Sequence, residues 1–400
     1  MISSGPKDVL LVGFGAIGAI YAFIMESSGA ARCTVVARSN YQVAKDEGTD
    51  IQSQRYGIHK AWRPYRFFPS VEEAADRAYT HVVVATKIIA ELQTNAGLLQ
   101  PLLSIPYTQR YPQPTYVLMQ NGMNIEVDLW DAISALDQGT PQILGASMLI
   151  SARQLTKNVV EHGDFDQVSL GIYRTEANVM VNSAEEEEIL NDFGKILSAG
   201  GTQVTVVPEI QRVKFAKNAW NCVLVGPACA LPRLSITGFF RKPVDLARSR
   251  ADLSKATNGA TCEPTPSQKA VASLPASSPM VAEYTLPWLY DVMDEVIQLG
   301  HRLYPPCSKT QKPGIDPDLP MFIMQCMATL ATQPKCSMRP SMLVDVEMGR
   351  PTEVEVVVGE VVRMAKSVGF GIPRLETLYA LMLVVQENTL NVHMNGSVVS

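Results

Sequence analysis

Lys217 and Asn221 lie four residues apart in the stretch KNAWNCVLVGP, residues 217–227. Side chains at this spacing stack along one side of a helix, and neighbours such as Trp220 and Val223 are apolar. An ammonium group beside an apolar surface is costly unless it has a partner or a chemical task. The pattern predicts either a lysine that acts on a substrate or one whose stem covers apolar neighbours while its head reaches water.

A glycine-rich turn lies near the start of the chain, in VLLVGFGAIGAIYAFIM. Gly13, Gly15 and Gly18 follow an apolar run typical of a buried strand, a helical pattern comes next, and then a second apolar run, CTVVAR. In this setting the glycines permit a tight turn, close approach of a pyrophosphate and close packing of helix on sheet. The helix N-terminus adds N–H groups for the phosphates. We expect a dinucleotide site rather than a glycine turn without a ligand.

The residues after the second apolar run indicate which dinucleotide binds. An Asp or Glu at this point would accept a hydrogen bond from the ribose 2′-hydroxyl of NAD, but the chain has Ala37, Arg38, Ser39 and Asn40. The Arg38 guanidinium can pair with a 2′-phosphate. We therefore predict NADP(H); the alternative is that Arg38 is simply an exposed arginine after a strand.

Polar residues follow two further apolar runs. Thr86 and Lys87 come after His81–Ala85, and Gln120, Asn121 and Gly122 come after Thr115–Met119. A further strand is expected at Ile143–Ile150, and helical spacing over residues 88–103 separates the first two runs. Alternating strands and helices predict a parallel sheet covered on both faces, with ligands beyond the carboxyl ends of its strands. Asn121 with Gly122 is also a common turn sequence.

The second half of the chain has long helical patterns from about residue 211. Residues 251–280 are rich in Ala, Ser, Thr and Pro and predict a mobile loop or linker. Near the end, Thr352 and Glu353 stand at a predicted helix start after Pro351, ahead of a buried face with Val356, Val357 and Val361. Alone, Glu353 or Glu355 could be a solvated first-turn acid stabilised by the helix dipole.

Composition restricts the classes of function. The 400 residues, 46% hydrophobic with a net charge of −5, favour two domains and argue against general nucleic-acid binding, which needs a basic face. The seven cysteines form no CxxC pair or metal cluster and are expected to be mostly reduced and packed. Neither a signal peptide nor an apolar run of the ~18–20 residues needed to span a bilayer is evident, so we expect a cytoplasmic protein.

Four stretches together make the chain resemble the ketopantoate reductase (2-dehydropantoate 2-reductase) family. They are VLLVGFGAIGAIYA, QNGMN, KNAWNCV and PSMLVDVEMGRPTEVE. The likeness runs from the glycine turn to PRLETLYALM and is interrupted at about residues 243–282, which look like an insert. The Lys-x-x-x-Asn helix and the Ser-Met-x-x-Asp…Thr-Glu stretch are specific to the family and occur in its order and spacing.

The resemblance implies a Rossmann-type α/β domain that binds NADP over residues 1–207. An all-α domain for substrate and catalysis would follow over 208–395, and the composition of the insert at about 243–282 predicts disorder there. The resemblance implies catalytic roles for Lys217 and Glu353, and substrate binding by Asn121, Asn221 and Ser341. The implied cofactor-binding residues are Gly13, Phe14, Gly15, Ala16, Ile17, Gly18, Arg38, Lys87 and Asn121. The implied reaction is hydride transfer from NADPH to a 2-oxo acid, and a homodimer is allowed.

One position departs from the family pattern. Where the family often has a second asparagine followed by proline, this chain has Val225, Gly226 and Pro227. A site that hydrogen-bonds a substrate hydroxyl discriminates strongly by it, so this change bears on the choice of substrate. Ketopantoate is the favoured substrate. The alternatives are another carbonyl substrate in specialised metabolism and an NADP-binding protein with a non-redox role, as a cyclase, isomerase or sensor.

Overall fold

The computed structural model describes residues 5–176, 178–241, 263–307, 314–334, 336 and 338–395. The chain divides into two units, Met1–Lys214 and Phe215–Ser400. The assignment of cofactor binding to residues 1–207 and of substrate binding to residues 208–395 stays a prediction.

The first unit holds all the described strands and the first seven helices. The strands are β1 (Lys7–Val12), β2 (Ala31–Val36), β3 (Thr49–Ser53), β4 (Gly57–Trp62), β5 (Arg66–Phe68), β6 (His81–Val84), β7 (Thr115–Leu118), β8 (Ile143–Thr156), β9 (Val159–Ile172) and β10 (Gln203–Val206). The helices are α1 (Ala16–Ser27), α2 (Tyr41–Glu47), α3 (Val71–Ala74), α4 (Asn95–Leu99), α5 (Tyr107–Arg110), α6 (Val127–Ser134) and α7 (Ala184–Ala199).

Within the described residues these strands form one sheet, in the order β4-β3-β9-β8-β7-β6-β1-β2-β5, with β10 beside β9. The run from β8 through β7, β6, β1 and β2 to β5 is parallel throughout. Its central strands β1, β6 and β7 are apolar and buried because helices cover the sheet. The predicted Rossmann-type arrangement of the N-terminal region is therefore confirmed, including the strand–turn–helix unit β1–α1.

Two features of this unit differ from the sequence prediction. The strand expected at residues 143–150 is the first half of β8, which continues as a long antiparallel hairpin with β9. The outer part of β8 is largely exposed, so it lacks the continuous apolar run that marked the buried half. The prediction of a helix over residues 88–103 is wrong for the residues before Asn95. The helix begins only at Asn95, because the Thr94 side chain caps it there by accepting a hydrogen bond from the Gly97 N–H.

The second unit is built from helices and the loops that join them in its described residues, as predicted. Helix α8 (Ile210–Cys222) begins in the first unit and continues into the second. The remaining helices are α9 (Pro227–Ala230), α10 (Thr237–Phe240), α11 (Pro266–Val271), α12 (Leu286–Leu303), α13 (Leu319–Ala331), α14 (Ser341–Glu347), α15 (Glu360–Ser367) and α16 (Pro373–Asn395). Short π-helical segments at Val281–Thr285 and Glu355–Gly359 precede α12 and α15.

The prediction of disorder at about residues 243–282 compares differently with the structure in the two halves of the segment. Residues 243–262 lie outside the described residues. Residues 263–282 differ from the expectation, because they contain α11. Thr265 and Gln268 cap this helix reciprocally and Pro266 occupies its first turn, so local capping stabilises a segment with few large apolar residues.

The described cysteines are all free thiols in the structure. Cys33, Cys222 and Cys229 are buried, whereas Cys326 is exposed. Burial raises the pKa of the Cys222 and Cys229 thiols, so both stay protonated and pack as small apolar groups.

Candidate functional site

The glycine turn after β1 has the backbone geometry that its sequence predicts. Gly13 has φ +103°, and a Cβ there would lie 2.7 Å from Thr86 Cγ2. A Cβ on Gly18 would lie 1.8 Å from the carbonyl oxygen of Gly13, so turn and helix are in direct contact at this point. A Cβ on Gly15 would meet nothing within 4 Å. Gly13 and Gly18 are therefore required by the fold, whereas Gly15 leaves room for a ligand.

The N-terminus of α1 is open to an anion. Gly15 is its N-cap residue, no side chain caps the first turn, and Ala16, Ile17 and Gly18 include no acid that would repel phosphate. Asn40 Nδ2 donates to the Phe14 carbonyl at 2.6 Å and fixes the turn against the end of β2. Arg38, two residues before Asn40, is exposed. These features fit the pyrophosphate and 2′-phosphate of NADP.

A buried amide network joins the ends of β6 and β7. Gln120 Nε2 donates to Thr86 O at 3.1 Å and to Thr86 Oγ1 at 3.2 Å. Asn95 Nδ2 donates to Gln120 Oε1 and to Ile125 O, both at 2.9 Å. Lys87 follows Thr86 and Asn121 follows Gln120. The network therefore fixes the backbone position from which the Lys87 and Asn121 side chains extend.

Lys87 is exposed and Asn121 half-buried in the structure. Thr86 also packs closely against Gly13. The carboxyl ends of β1, β6 and β7 therefore lie next to one another. In the first unit the structure brings the glycine turn, Lys87 and Asn121 to one edge of the sheet, the edge at which ligands bind in open α/β folds.

Helix α8, which carries Lys217 and Asn221, is anchored at its start by a buried ion pair. Lys214 Nζ donates to Glu126 Oε1, and the two side chains are 4% and 0% exposed. Glu126 lies just before α6, five residues after Asn121. A buried pair of this kind fixes geometry, because breaking it leaves an uncompensated charge.

Lys217 and Glu353 belong to segments of the second unit that are joined by a buried hydrogen bond. Lys217 is half-buried on α8, and Glu353 is 7% exposed just before the helical run that starts at Val354. Asn218 Nδ2 donates to the Val357 carbonyl at 2.8 Å. The structure therefore brings together the two segments that carry the predicted catalytic residues.

The two candidate glutamates have different surroundings. Glu355 Oε1 accepts from the Tyr379 hydroxyl at 2.6 Å, and its Oε2 accepts from Arg363 Nη1 at 2.8 Å. Burial and then the hydrogen bond to Glu355 raise the pKa of Tyr379 to about 12, so the hydroxyl stays a donor. Glu355 is thus held by Arg363 of α15 and Tyr379 of α16. Glu353, which is buried, is not a solvated first-turn acid.

Ser341 and Asn221 lie on elements that meet around Gly226. Helix α14, which begins at Ser341, packs on α9, and Met342 Sδ lies 3.5 Å from where a Cβ of Gly226 would be. The same Cβ would lie 2.1 Å from the Asn221 carbonyl, so only glycine fits after Val225. Asn221 is half-buried, Ser341 is exposed and Val225 is 9% exposed.

The comparisons with known proteins agree with this architecture. Family models described as ketopantoate reductase PanE/ApbA and its C-terminal part match residues 9–175 and 269–386, which together are more than half of the chain. The chain belongs to the ketopantoate reductase family. It is an oxidoreductase that uses NADP(H), as the family does.

Three relatives show how far the likeness extends. An uncharacterized protein of Saccharomyces cerevisiae is 25% identical over 388 residues, which are 94% of this chain and 93% of the relative. The crystal structure of 2-dehydropantoate 2-reductase from Methylococcus capsulatus has a TM-score of 0.64 at 20% identity, covering 96% and 97% of the two chains. The ternary structure of D-mandelate dehydrogenase with NADH and anilino(oxo)acetate has a TM-score of 0.64 at 13% identity, covering 96% and 99%. At these identities the two structures share the fold.

Several polar residues of this reductase were not predicted from the sequence. They are Asn95, Glu126, Lys214, Asn218 and Gln386, and each is 9% exposed or less. Asn218 is the neighbour of a predicted residue, so its position next to Lys217 could have drawn attention to it. Asn95 and Gln386 act from distant parts of the sequence, and no spacing pattern reveals them.

Two kinds of feature are absent from the described ranges. No helix there is long and apolar enough to cross a membrane. No group of three or more His, Cys, Asp or Glu side chains in the described part of the chain could hold a metal ion.

Proposed function

We propose that this protein reduces a 2-oxo acid with NADPH, and that ketopantoate, which becomes pantoate, is the favoured substrate. The observation that supports the proposal best is the buried hydrogen bond from Asn218 to Val357, because it joins the segments of Lys217 and Glu353. Reduction of a carbonyl needs a positive, proton-donating group beside the developing alkoxide, and an ammonium supplies both functions.

Lys217 has two tasks in this proposal. NADPH, when bound, supplies the hydride that reduces the carbonyl carbon. The carbonyl oxygen then becomes an alkoxide, and the Lys217 ammonium stabilises its charge and gives it a proton. Glu353 holds the substrate hydroxyl or tunes Lys217. Asn121, Asn221 and Ser341 orient the carbonyl and carboxylate of the substrate, and this orientation supplies part of the rate.

The cofactor residues divide by the part of NADP(H) that they hold. The turn of Gly13, Phe14, Gly15, Ala16, Ile17 and Gly18 receives the pyrophosphate at the start of α1. Arg38 pairs with the 2′-phosphate, and Lys87 and Asn121 hold the cofactor from the neighbouring strand ends. An Arg38→Asp variant is expected to lose NADPH affinity far more than NADH affinity.

A second substrate is favoured by one observation. Val225 is an apolar, buried residue at the position where the family often has asparagine. A substrate whose far end is apolar suits this residue better than one with a hydroxyl there. The shared fold does not decide the question, since function resides in the site rather than in the fold. Another 2-oxo acid is therefore the alternative substrate.

The direct test follows NADPH absorbance with ketopantoate beside a panel of other 2-oxo acids, with wild type and Val225→Asn. Rapid oxidation with ketopantoate supports the proposal. Oxidation of NADPH only with acids that have an apolar side chain supports the alternative. In that case Val225→Asn should raise the rate of NADPH oxidation with ketopantoate. NADPH binding without oxidation by any carbonyl tested would overturn the redox proposal in favour of a non-redox role.

The proposal also covers the pathway, the cellular location and the oligomeric state of the enzyme. Reduction of ketopantoate places it in pantothenate biosynthesis, and we propose a cytoplasmic enzyme that acts as a homodimer. Sedimentation of the purified protein tests the homodimer, and a single species at the monomer mass would contradict it.

A further inference from the structure

Two buried amide side chains hold the backbone on either side of Glu353. Gln386 of α16 bonds to Thr352, the residue before Glu353. Asn218 of α8 bonds to Val357, four residues after it. All of these residues lie in the second unit.

Gln386 and Thr352 form a complete set of hydrogen bonds. Gln386 Oε1 accepts from the Thr352 N–H at 2.8 Å and from Thr352 Oγ1 at 3.0 Å, and Gln386 Nε2 donates to the Thr352 carbonyl at 3.1 Å. Each of the two residues is 1% exposed. Three hydrogen bonds shielded from water hold Thr352, the residue directly before Glu353, in place.

The bond from Asn218 has a different character. Its Nδ2 donates to Val357, but its Oδ1 is buried without a hydrogen-bond partner among the described residues. Val357 N–H in turn donates to the Glu353 carbonyl at 3.0 Å, so the bond from Asn218 acts on the turn of backbone that begins at Glu353.

We infer that Asn218 and Gln386 are positioning residues, which act through Glu353 and set its place relative to Lys217. Asn218 follows Lys217 directly in α8, so the helix that carries the ammonium also holds the backbone that carries the carboxylate. Catalytic groups need support of this kind, because a small misplacement is costly in rate. This inference rests on the proposed function, in which Lys217 and Glu353 act on the substrate.

The variants that test the inference remove the amides with little change in size. In Asn218→Leu and Gln386→Met we expect kcat to fall at least tenfold, while the NADPH dissociation constant stays within twofold of wild type. Asn388→Leu is the matched control, because the exposed Asn388 also donates to a carbonyl, at 2.7 Å, but within its own helix α16. It should keep the kcat of wild type. Asn218→Ser replaces Asn218→Leu if the latter does not fold.

A double-mutant cycle shows whether the amides act through Glu353. In a Glu353→Gln background, Asn218→Leu and Gln386→Met should each lower kcat less than twofold further, because the group they position is already absent. Full tenfold losses in that background would overturn the inference, as would wild-type kcat in both single variants.

An arm independent of activity separates this inference from the proposed function. Amide hydrogen exchange over residues 353–359 should be at least tenfold faster in Asn218→Leu and Gln386→Met than in Asn388→Leu. If wild type reduces no 2-oxo acid, the proposed function fails. Faster exchange in the two variants would still show that Asn218 and Gln386 hold the backbone around Glu353. Equal exchange in all three variants would overturn the inference whatever the activity.

Discussion

Gly145 of β8 and Gly171 of β9 face each other in the antiparallel ladder of the hairpin, and Ile210, the first residue of α8, packs on both. A Cβ on Gly145 would lie 3.1 Å from Ile210 Cγ2, and one on Gly171 would lie 2.7 Å from Ile210 Cβ. The paired glycines thus leave a depression in the sheet for the start of α8. The helix that carries Lys217 begins on this pair of glycines.

Gly171→Ala should destabilise the protein because its methyl group also lies 2.9 Å from the Val207 carbonyl. We expect a loss of about 1–3 kcal/mol in the free energy of unfolding, as for other overpacked sites. Urea denaturation measures it. Gly371→Ala is the control, since a Cβ there meets nothing within 4 Å. Equal stability of the two variants would contradict the packing described.

The buried pair of Glu126 and Lys214 makes a second prediction. Lys214→Met leaves the fully buried Glu126 carboxylate unpaired and should cost about 3–5 kcal/mol. The double variant Glu126→Leu with Lys214→Met removes both charges and should regain most of that loss. Urea denaturation of the single and double variants measures both values. If the double variant is no more stable than Lys214→Met, the loss in the single variant does not come from an unpaired Glu126 charge.

Stability should fall in mild acid because two histidines are buried. Burial lowers the pKa of His162, and burial lowers the pKa of His81 to about 4. The unfolded chain, with histidine pKa near 6.5, binds protons first as the pH falls. The free energy of unfolding is therefore highest above about pH 6.5 and decreases below it, for His81 until about pH 4.

Urea midpoints at pH 7.5, 6.5 and 5.5 test this dependence. The variant His81→Gln with His162→Gln should show a flatter decrease over this range than wild type. The carboxyl groups are the same in both proteins, which differ only at the two histidines. Parallel curves for the two proteins would exclude the histidines as the cause.

The three glycines of the turn should respond differently to alanine. Gly15→Ala adds a methyl group to open space and should leave the unfolding free energy unchanged, but it should weaken NADPH binding at least tenfold by blocking the pyrophosphate. Gly18→Ala should lose both stability and binding, because its Cβ would lie 1.8 Å from the Gly13 carbonyl. Calorimetric NADPH titration and thermal melts measure the two effects. Unweakened NADPH binding by Gly15→Ala would refute the assignment of the turn to the cofactor.

The sequence was sufficient for features with a local pattern. The turn at Gly13 is visible because strand, glycines and helix are consecutive, and the buried strands β1, β6 and β7 are continuous apolar runs. The family motifs in turn led to the prediction of catalytic roles for Lys217 and Glu353, which stays a prediction. The separation of Glu353 from Glu355 needed the structure, because Tyr379 and Arg363 hold the latter from later helices.

The remaining features depend on contacts between distant residues. The outer half of the β8–β9 hairpin is exposed and lacks the apolar run of a buried strand. The buried polar residues Asn95, Lys214 and Gln386 resemble surface residues in the sequence, and only their partners in the fold show why they are tolerated inside. Such long-range compensation has no periodicity that could be read beforehand.

The most direct test of the central proposal is turnover by Lys217→Ala at saturating NADPH, with ketopantoate and the panel of 2-oxo acids. Removal of the ammonium should lower kcat at least ~100-fold, the scale of general acid catalysis, while the NADPH dissociation constant stays within twofold. Lys366→Ala, an exposed lysine on α15, is the control. A wild-type kcat in Lys217→Ala would contradict the account and return this lysine to a packing role.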